Sequence, residues 1–206
     1  MIAHKYLIGL THVLIGIPSF VLTLLVLTII QLSKKLRKSL SYKLLQQLNI
    51  FCLVLNTVHA GVGVNVLLEV DPLSFSSKLL GAFSDIGWFG ILFLNFLLCR
   101  ERFNVTMRSQ VVISTAQQRS NLEVNILFAS TLMFLLPFGE EMAYFVLVAL
   151  EQNTFWGTFS VQIVWMCIPL LSQAIQIVLN RPIRRSLKQT ILGIIKAKGN
   201  ISTITA

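Results

Sequence analysis

The chain has 206 residues, 55% of them apolar and only 12% charged, and its 17 Lys and Arg against 8 Asp and Glu give a formal net charge of +9. With a mean hydropathy of +0.77, this excludes an ordinary soluble domain, in which about a quarter of residues are charged. It also argues against nucleic acid as a partner, because the basic residues flank apolar runs in short clusters and form no single basic face.

A bilayer core about 30 Å thick is crossed by a helix of roughly 20 mainly apolar residues. Five stretches meet that length: Tyr6 to Leu32, Leu44 to Leu68, Leu79 to Cys99, Val124 to Leu150 and Phe155 to Leu179. The first is expected to remain as an anchor, since its apolar run is too long for a cleaved signal and ends on a basic stop, not a small-residue cleavage site. The predicted fold is all-α: a polytopic transmembrane bundle of five spanning helices, followed by an amphipathic helix near the C-terminus.

Between these stretches the basic residues alternate in number. Lys5 precedes the first span; Lys34, Lys35, Arg37, Lys38 and Lys43 follow it; only Lys78 follows the second, beside Glu69 and Asp71. Arg100, Arg102, Arg108 and Arg119 follow the third, none follows the fourth, and Arg181, Arg184, Arg185, Lys188, Lys196 and Lys198 follow the fifth. Fifteen of the 17 thus fall on one side. Because basic residues mark cytoplasmic loops, the N-terminus is expected outside and the C-terminus inside. The inner clusters are suited to anionic lipid headgroups at about 1 kcal/mol per residue. The sequons at Asn104 and Asn200 then lie on the cytoplasmic side and are expected to carry no glycan.

Cys52, Cys99 and Cys167 fall within or at the inner end of a span, so no extracellular disulfide is expected. There is no CxxC, no Cys/His cluster with zinc spacing, no GxxxxGK[ST], no HExxH and no GxSxG. The expectation is therefore no enzyme, no catalytic residue, no metal and no cofactor.

The span ends carry more. Ser39-Leu40-Ser41-Tyr42-Lys43 re-enters the membrane with Lys43 placed to snorkel. The third span closes on Cys99-Arg100-Glu101-Arg102-Phe103, which by itself reads as a positive-inside flank. After Asn180-Arg181-Pro182, the residues Ile183, Leu187, Ile191, Ile194 and Ile195 recur every three or four positions among Arg184, Arg185, Lys188 and Lys196. This predicts a basic amphipathic helix over about 182–198, lying in the inner interface.

Ionisable groups inside a span cost about 2.5 to 3.5 kcal/mol on insertion scales and so demand a partner or a cavity. The candidates are His59, Asp85, Glu140 and Glu141. Glu140 and Glu141 follow Pro137 and Gly139, where freed backbone can line a wet pocket. Neighbours on a helix point about 100° apart, so only one of the two faces the axis squarely. Asp85 is expected near the outer end of its span beside Lys78, where an interfacial role competes with a ligand role. His59 is expected to be a satisfied interior histidine before a titrating one. Trp88, Trp156 and Trp165 suit interfaces or bundle packing.

Taken in order, these pieces resemble the seven-helix G-protein-coupled receptors, most closely the class T group of nematode serpentine chemoreceptors. Leu36-Arg37-Lys38-Ser39-Leu40-Ser41-Tyr42-Lys43 is similar to that group's entry into helix two, and Leu80-Gly81-Ala82-Phe83, Trp88 and Arg102-Phe103 to its third helix. Asn180-Arg181-Pro182-Ile183-Arg184-Arg185 is similar to its exit from helix seven. Glu101 stands where that group has Asn, so the resemblance implies either Arg102 or Arg100 as the arginine facing a G protein. The segment from Arg100 to Glu123 joins the end of a third-helix-like span to one resembling helix six, so helices four and five are lacking. The resemblance implies a chemosensory receptor at the plasma membrane with a small-molecule ligand, a heterotrimeric G protein and homo- or hetero-oligomers with related receptors as partners. It implies a ligand pocket drawn from Glu140, Glu141, Asp85, His59 and Trp88. Tyr42, Lys43, Asn180, Arg181, Arg184 and Arg185 would hold the inner interface. The alternative is a non-signalling fragment or assembly partner, retained in the endoplasmic reticulum.

Overall fold

Backbone amides without water must close their hydrogen bonds internally, and the long apolar runs do so as helices. The computed structural model describes residues 2–112, 128, 131–139, 141–146, 155–190 and 192. Its helices are α1 (Ile2–Leu32), α2 (Lys34–Arg37), α3 (Leu40–Leu67), α4 (Phe75–Val112) and α5 (Phe155–Leu179). Stretches 131–139, 141–146 and 181–190 are also helical, and no strand occurs among the described residues.

Four helices are long and apolar enough to cross a membrane, over His4–Leu32, Leu40–Leu67, Phe75–Val105 and Phe155–Leu179. Between 33% and 39% of each apolar window is buried in the bundle, which leaves most of it facing outward, as lipid-exposed helices require. The predicted fourth span, Val124 to Leu150, is helical over 131–139 and 141–146, and its remaining residues other than Phe128 lie outside the described residues.

The expected bounds hold for α5 and shift elsewhere. The predicted loop after Cys99 is instead helix as far as Val112, because 100–112 contains neither Pro nor Gly and hydropathy marks the apolar part of a helix, not its end. Likewise α4 begins at Phe75, four residues before the apolar run, where Ser74 Oγ accepts from Ser77 N at 3.3 Å.

Beside an apolar core cluster that includes Ile29, Ile30, Leu48, Leu55 and Ile91, small and polar residues also turn inward. On α1 the interior row is Gly9, His12, Gly16, Ser19, Thr23 and Val26, while Leu10, Leu14, Ile17, Val21 and Leu24 face outward. Helices in lipid gain nothing from burying apolar groups against each other, so small and polar residues make the contact. A Cβ built on Gly63 would lie 2.8 Å from Gly9 O and 2.9 Å from His12 Cβ, so α1 and α3 approach at a distance that only glycine allows. α3 is the central helix, packing on α1, α4 and α5, and α1 also packs on α5.

Two breaks position the ends of the bundle. After α3, Val70 N bonds Asn65 O at 2.9 Å and Glu69 takes a φ of 55°, a helix stop of the kind glycine usually closes. At the other end Asn180 separates α5 from the 181–190 helix and accepts from Ile183 N at 3.5 Å, with Pro182 in the first turn. Ile183 is fully buried in the core cluster and Leu187 packs against it, while Arg184, Arg185 and Lys188 are exposed. The predicted amphipathic helix therefore docks its apolar face on the bundle itself over its described part.

Candidate functional site

Spacings of three and four residues bring one polar row from each long helix to the interior. From α3 it comprises Tyr42, Asn49, Cys52, Asn56 and His59; from α4, Ser84, Trp88 and Asn95; from α5, Ser172, Gln173, Gln176 and, just past its end, Asn180. At mid-height Asn56 Nδ2 donates to Thr23 Oγ1 at 3.2 Å. Neither amide atom of Asn95 has a hydrogen-bond partner among the described residues.

At the end remote from the basic loops the row opens into two clefts. One, of about 360 Å³, is lined by His12, His59, Asn65, Ser84, Gln162 and Trp165 together with Val70 and Pro72 of the α3–α4 turn. The second, of about 430 Å³, is lined by Asp85, Trp88, Glu141, Tyr144, Gln162 and Trp165. Gln162 and Trp165 form the shared wall. Gln162 Nε2 lies 3.0 Å from His12 Nε2, and with the amide nitrogen as donor this ring nitrogen accepts. Trp165 meets His59 edge-on at 5.0 Å and Trp88 edge-on at 5.9 Å between centroids. Trp88 Nε1 donates to Glu141 Oε1. Both volumes fall in the range of about 300–1,000 Å³ typical of small-molecule sites.

The basic end is closed instead. Tyr42 Oη donates to Asn180 Oδ1 at 2.8 Å, and Asn49 Nδ2 donates to Leu45 O at 2.7 Å and to Gln176 Oε1 at 3.3 Å. The Arg102 guanidinium stands 5.7 Å above the Tyr42 ring, within cation–π range. Arg184 Nη1 donates to Val178 O at 2.6 Å. Lys43, Arg181 and Arg185 are exposed. Arg100 is exposed on another flank, beside Phe96, Cys99 and Phe134, where Cys99 Sγ lies 3.7 Å from Thr131 Oγ1.

Of the pocket residues expected from sequence, Asp85, Trp88 and Glu141 meet in one cleft and His59 lines its neighbour, while Glu140 lies outside the described residues. One expectation is corrected, that of a satisfied His59. Asp85 sits ten residues into α4, about 15 Å along the axis, because the helix starts earlier than its apolar run. His59 is interior at 1% exposure, yet its Nε2 has no partner among the described residues, since its neighbours there present aromatic faces and edges. His12 was missed as an intramembrane ionisable group. Its place in the Gly9, His12, Gly16, Ser19 row was the available signal. Asn65, Tyr144 and Gln162 carried none, since isolated polar residues near span ends are ordinary.

No protein-family model, no curated protein and no solved structure matches the chain.

Proposed function

We propose that the chain is a chemosensory receptor of the G-protein-coupled kind, built on five spans, with helices four and five lacking. The observation that supports this reading best is the division between the two ends of one polar core: clefts of ligand size at one, and the Tyr42–Asn180–Arg102 lock at the other. In this reading the helical stretches 131–139 and 141–146 belong to the fourth span, Val124 to Leu150. The basic-residue count orients the clefts outward at the plasma membrane and the lock toward the cytoplasm. A ligand that binds one helix packing better than another shifts the population of both, and a G protein biases the same equilibrium from the inner side. Arg102 serves as the G-protein-facing arginine in preference to Arg100, because it is the one coupled to the lock.

The test is G-protein activation by applied small molecules in cells bearing the chain with an N-terminal tag. Surface staining without permeabilisation and a ligand-dependent response lost in Arg102→Ala at equal surface level are expected. Retention in the endoplasmic reticulum with no response to any ligand would contradict the reading. That outcome favours a second one, an assembly partner of full-length receptors. It draws on the outward Phe83, Phe89, Phe93, Phe96 and Phe103 of α4, the side where the lacking helices would pack.

A further inference from the structure

The chemistry of the two clefts narrows the ligand. Asp85 and Glu141 give the larger cleft two carboxylates, and no Lys, Arg or His is among its described lining residues. Trp88, Tyr144 and Trp165 supply aromatic walls. Trp88 fixes one oxygen of Glu141, which leaves the other oxygen and Asp85 available. Asp85 is exposed and Glu141 half-buried where they line the cleft, so both are open to a cationic ligand, and no group of three His, Cys, Asp or Glu able to hold a metal occurs among the described residues. Aromatic faces beside carboxylates favour an organic ammonium over a hydrated inorganic ion.

The adjoining cleft makes an independent demand. His59, 1% exposed, lines it with an Nε2 that has no partner among the described residues, and the Asn65 Nδ2 donor beside it is likewise without one. Buried polar groups of this kind are costly unless something fills their hydrogen-bonding capacity. Gln162 and Trp165 are common to both clefts, so one molecule lying across them satisfies both demands.

We propose that this site binds an organic ammonium compound, its cationic group held by Asp85 and Glu141 between Trp88, Tyr144 and Trp165, and an oxygen function at its other end hydrogen-bonded by His59 and Asn65. The inference rests on the receptor reading for the outward direction of the clefts, but binding itself is measurable without a G protein.

The experiment uses the full chain in lipid nanodiscs, titrated with tetramethylammonium, with acetylcholine as an ammonium probe bearing an ester oxygen, and with its uncharged isostere 3,3-dimethylbutyl acetate. Binding is read by tryptophan fluorescence and calorimetry. Acetylcholine is expected to bind at least tenfold tighter than the uncharged isostere and tighter than tetramethylammonium. Asp85→Asn is expected to weaken it at least tenfold and Asp85→Glu to restore part of the loss. Equal affinity for charged and uncharged probes, no saturable binding of either ammonium probe to the folded chain, or displacement by sodium at equal concentration overturns the proposal. Ammonium binding with no G-protein activation in cells leaves the ligand class standing and overturns the receptor reading instead.

Discussion

The two ends of the bundle draw on the same polar row and use it differently. At the basic end Tyr42, Asn180, Asn49 and Gln176 are joined by hydrogen bonds, and a guanidinium lies over the Tyr42 ring. At the opposite end His59 and Asn65 leave buried polar atoms without a partner among the described residues, and these line a cleft, whereas Asn49 Oδ1 and Gln176 Nε2 at the basic end, which also lack one, line neither cleft. Polar groups joined across helices hold them in place, whereas unpartnered groups that line a cleft can be satisfied by a molecule bound there. The row itself, running through α3, gives the ends a shared physical connection.

The strongest way to break this arrangement is to separate its scaffold. Gly63→Ala is expected to destabilise the bundle by about 3 kcal/mol, because the added Cβ meets Gly9 O, a backbone atom that cannot move aside. Gly90→Ala is a sharper companion: its Cβ meets the Phe51 ring, which can rotate, so about 1 kcal/mol is expected. Thermal unfolding in detergent ranks the two, and an inverted order would refute the close α1–α3 approach.

The ends themselves should respond with opposite signs. Asn180→Ala removes both a helix cap and the Tyr42 bond and is expected to cost about 1.5 kcal/mol. His59→Leu removes a buried unpartnered group and is expected to be neutral or stabilising by up to about 1 kcal/mol, while weakening acetylcholine binding and leaving tetramethylammonium binding unchanged. If His59→Leu destabilises as much as Asn180→Ala, the two ends do not differ as described. The smallest effect belongs to the turn at the cleft rim. Glu69 holds a φ of 55°, so Glu69→Gly relieves a left-handed residue at some entropic cost, for a net gain of about 0.5 kcal/mol by the same assay.

Much of the scaffold is legible in the sequence, because lipid solvation imposes length and hydropathy on any spanning helix. The bounds of Phe155–Leu179 coincide with those of its apolar run, and the Asn180-Arg181-Pro182 break is visible in its residue types. The ends of α4 were not legible, since helix continues through polar sequence wherever nothing breaks it. The clefts were legible only as parts. Asp85, Glu141 and His59 declare themselves by the cost of an ionisable group in a span, but nothing local says that Trp88 reaches Glu141 across 53 residues. Nor does any local signal show that Gln162 closes on His12 across 150. Those meetings are set by glycine-permitted approach and by which face each helix turns inward, both properties of pairs of helices.

Cysteine accessibility in intact cells tests the contrast between the ends most directly. Cys52, Cys99 and Cys167 are first replaced by alanine, and Gly81→Cys and Lys43→Cys are introduced singly. Gly81 lines a cleft with nothing within 4 Å of an added Cβ, and Lys43 is exposed at the basic end. A membrane-impermeant cationic thiol reagent is predicted to modify Gly81→Cys in intact cells, more slowly when acetylcholine is present, and Lys43→Cys only after permeabilisation. Modification of Lys43→Cys in intact cells with Gly81→Cys untouched would contradict the account.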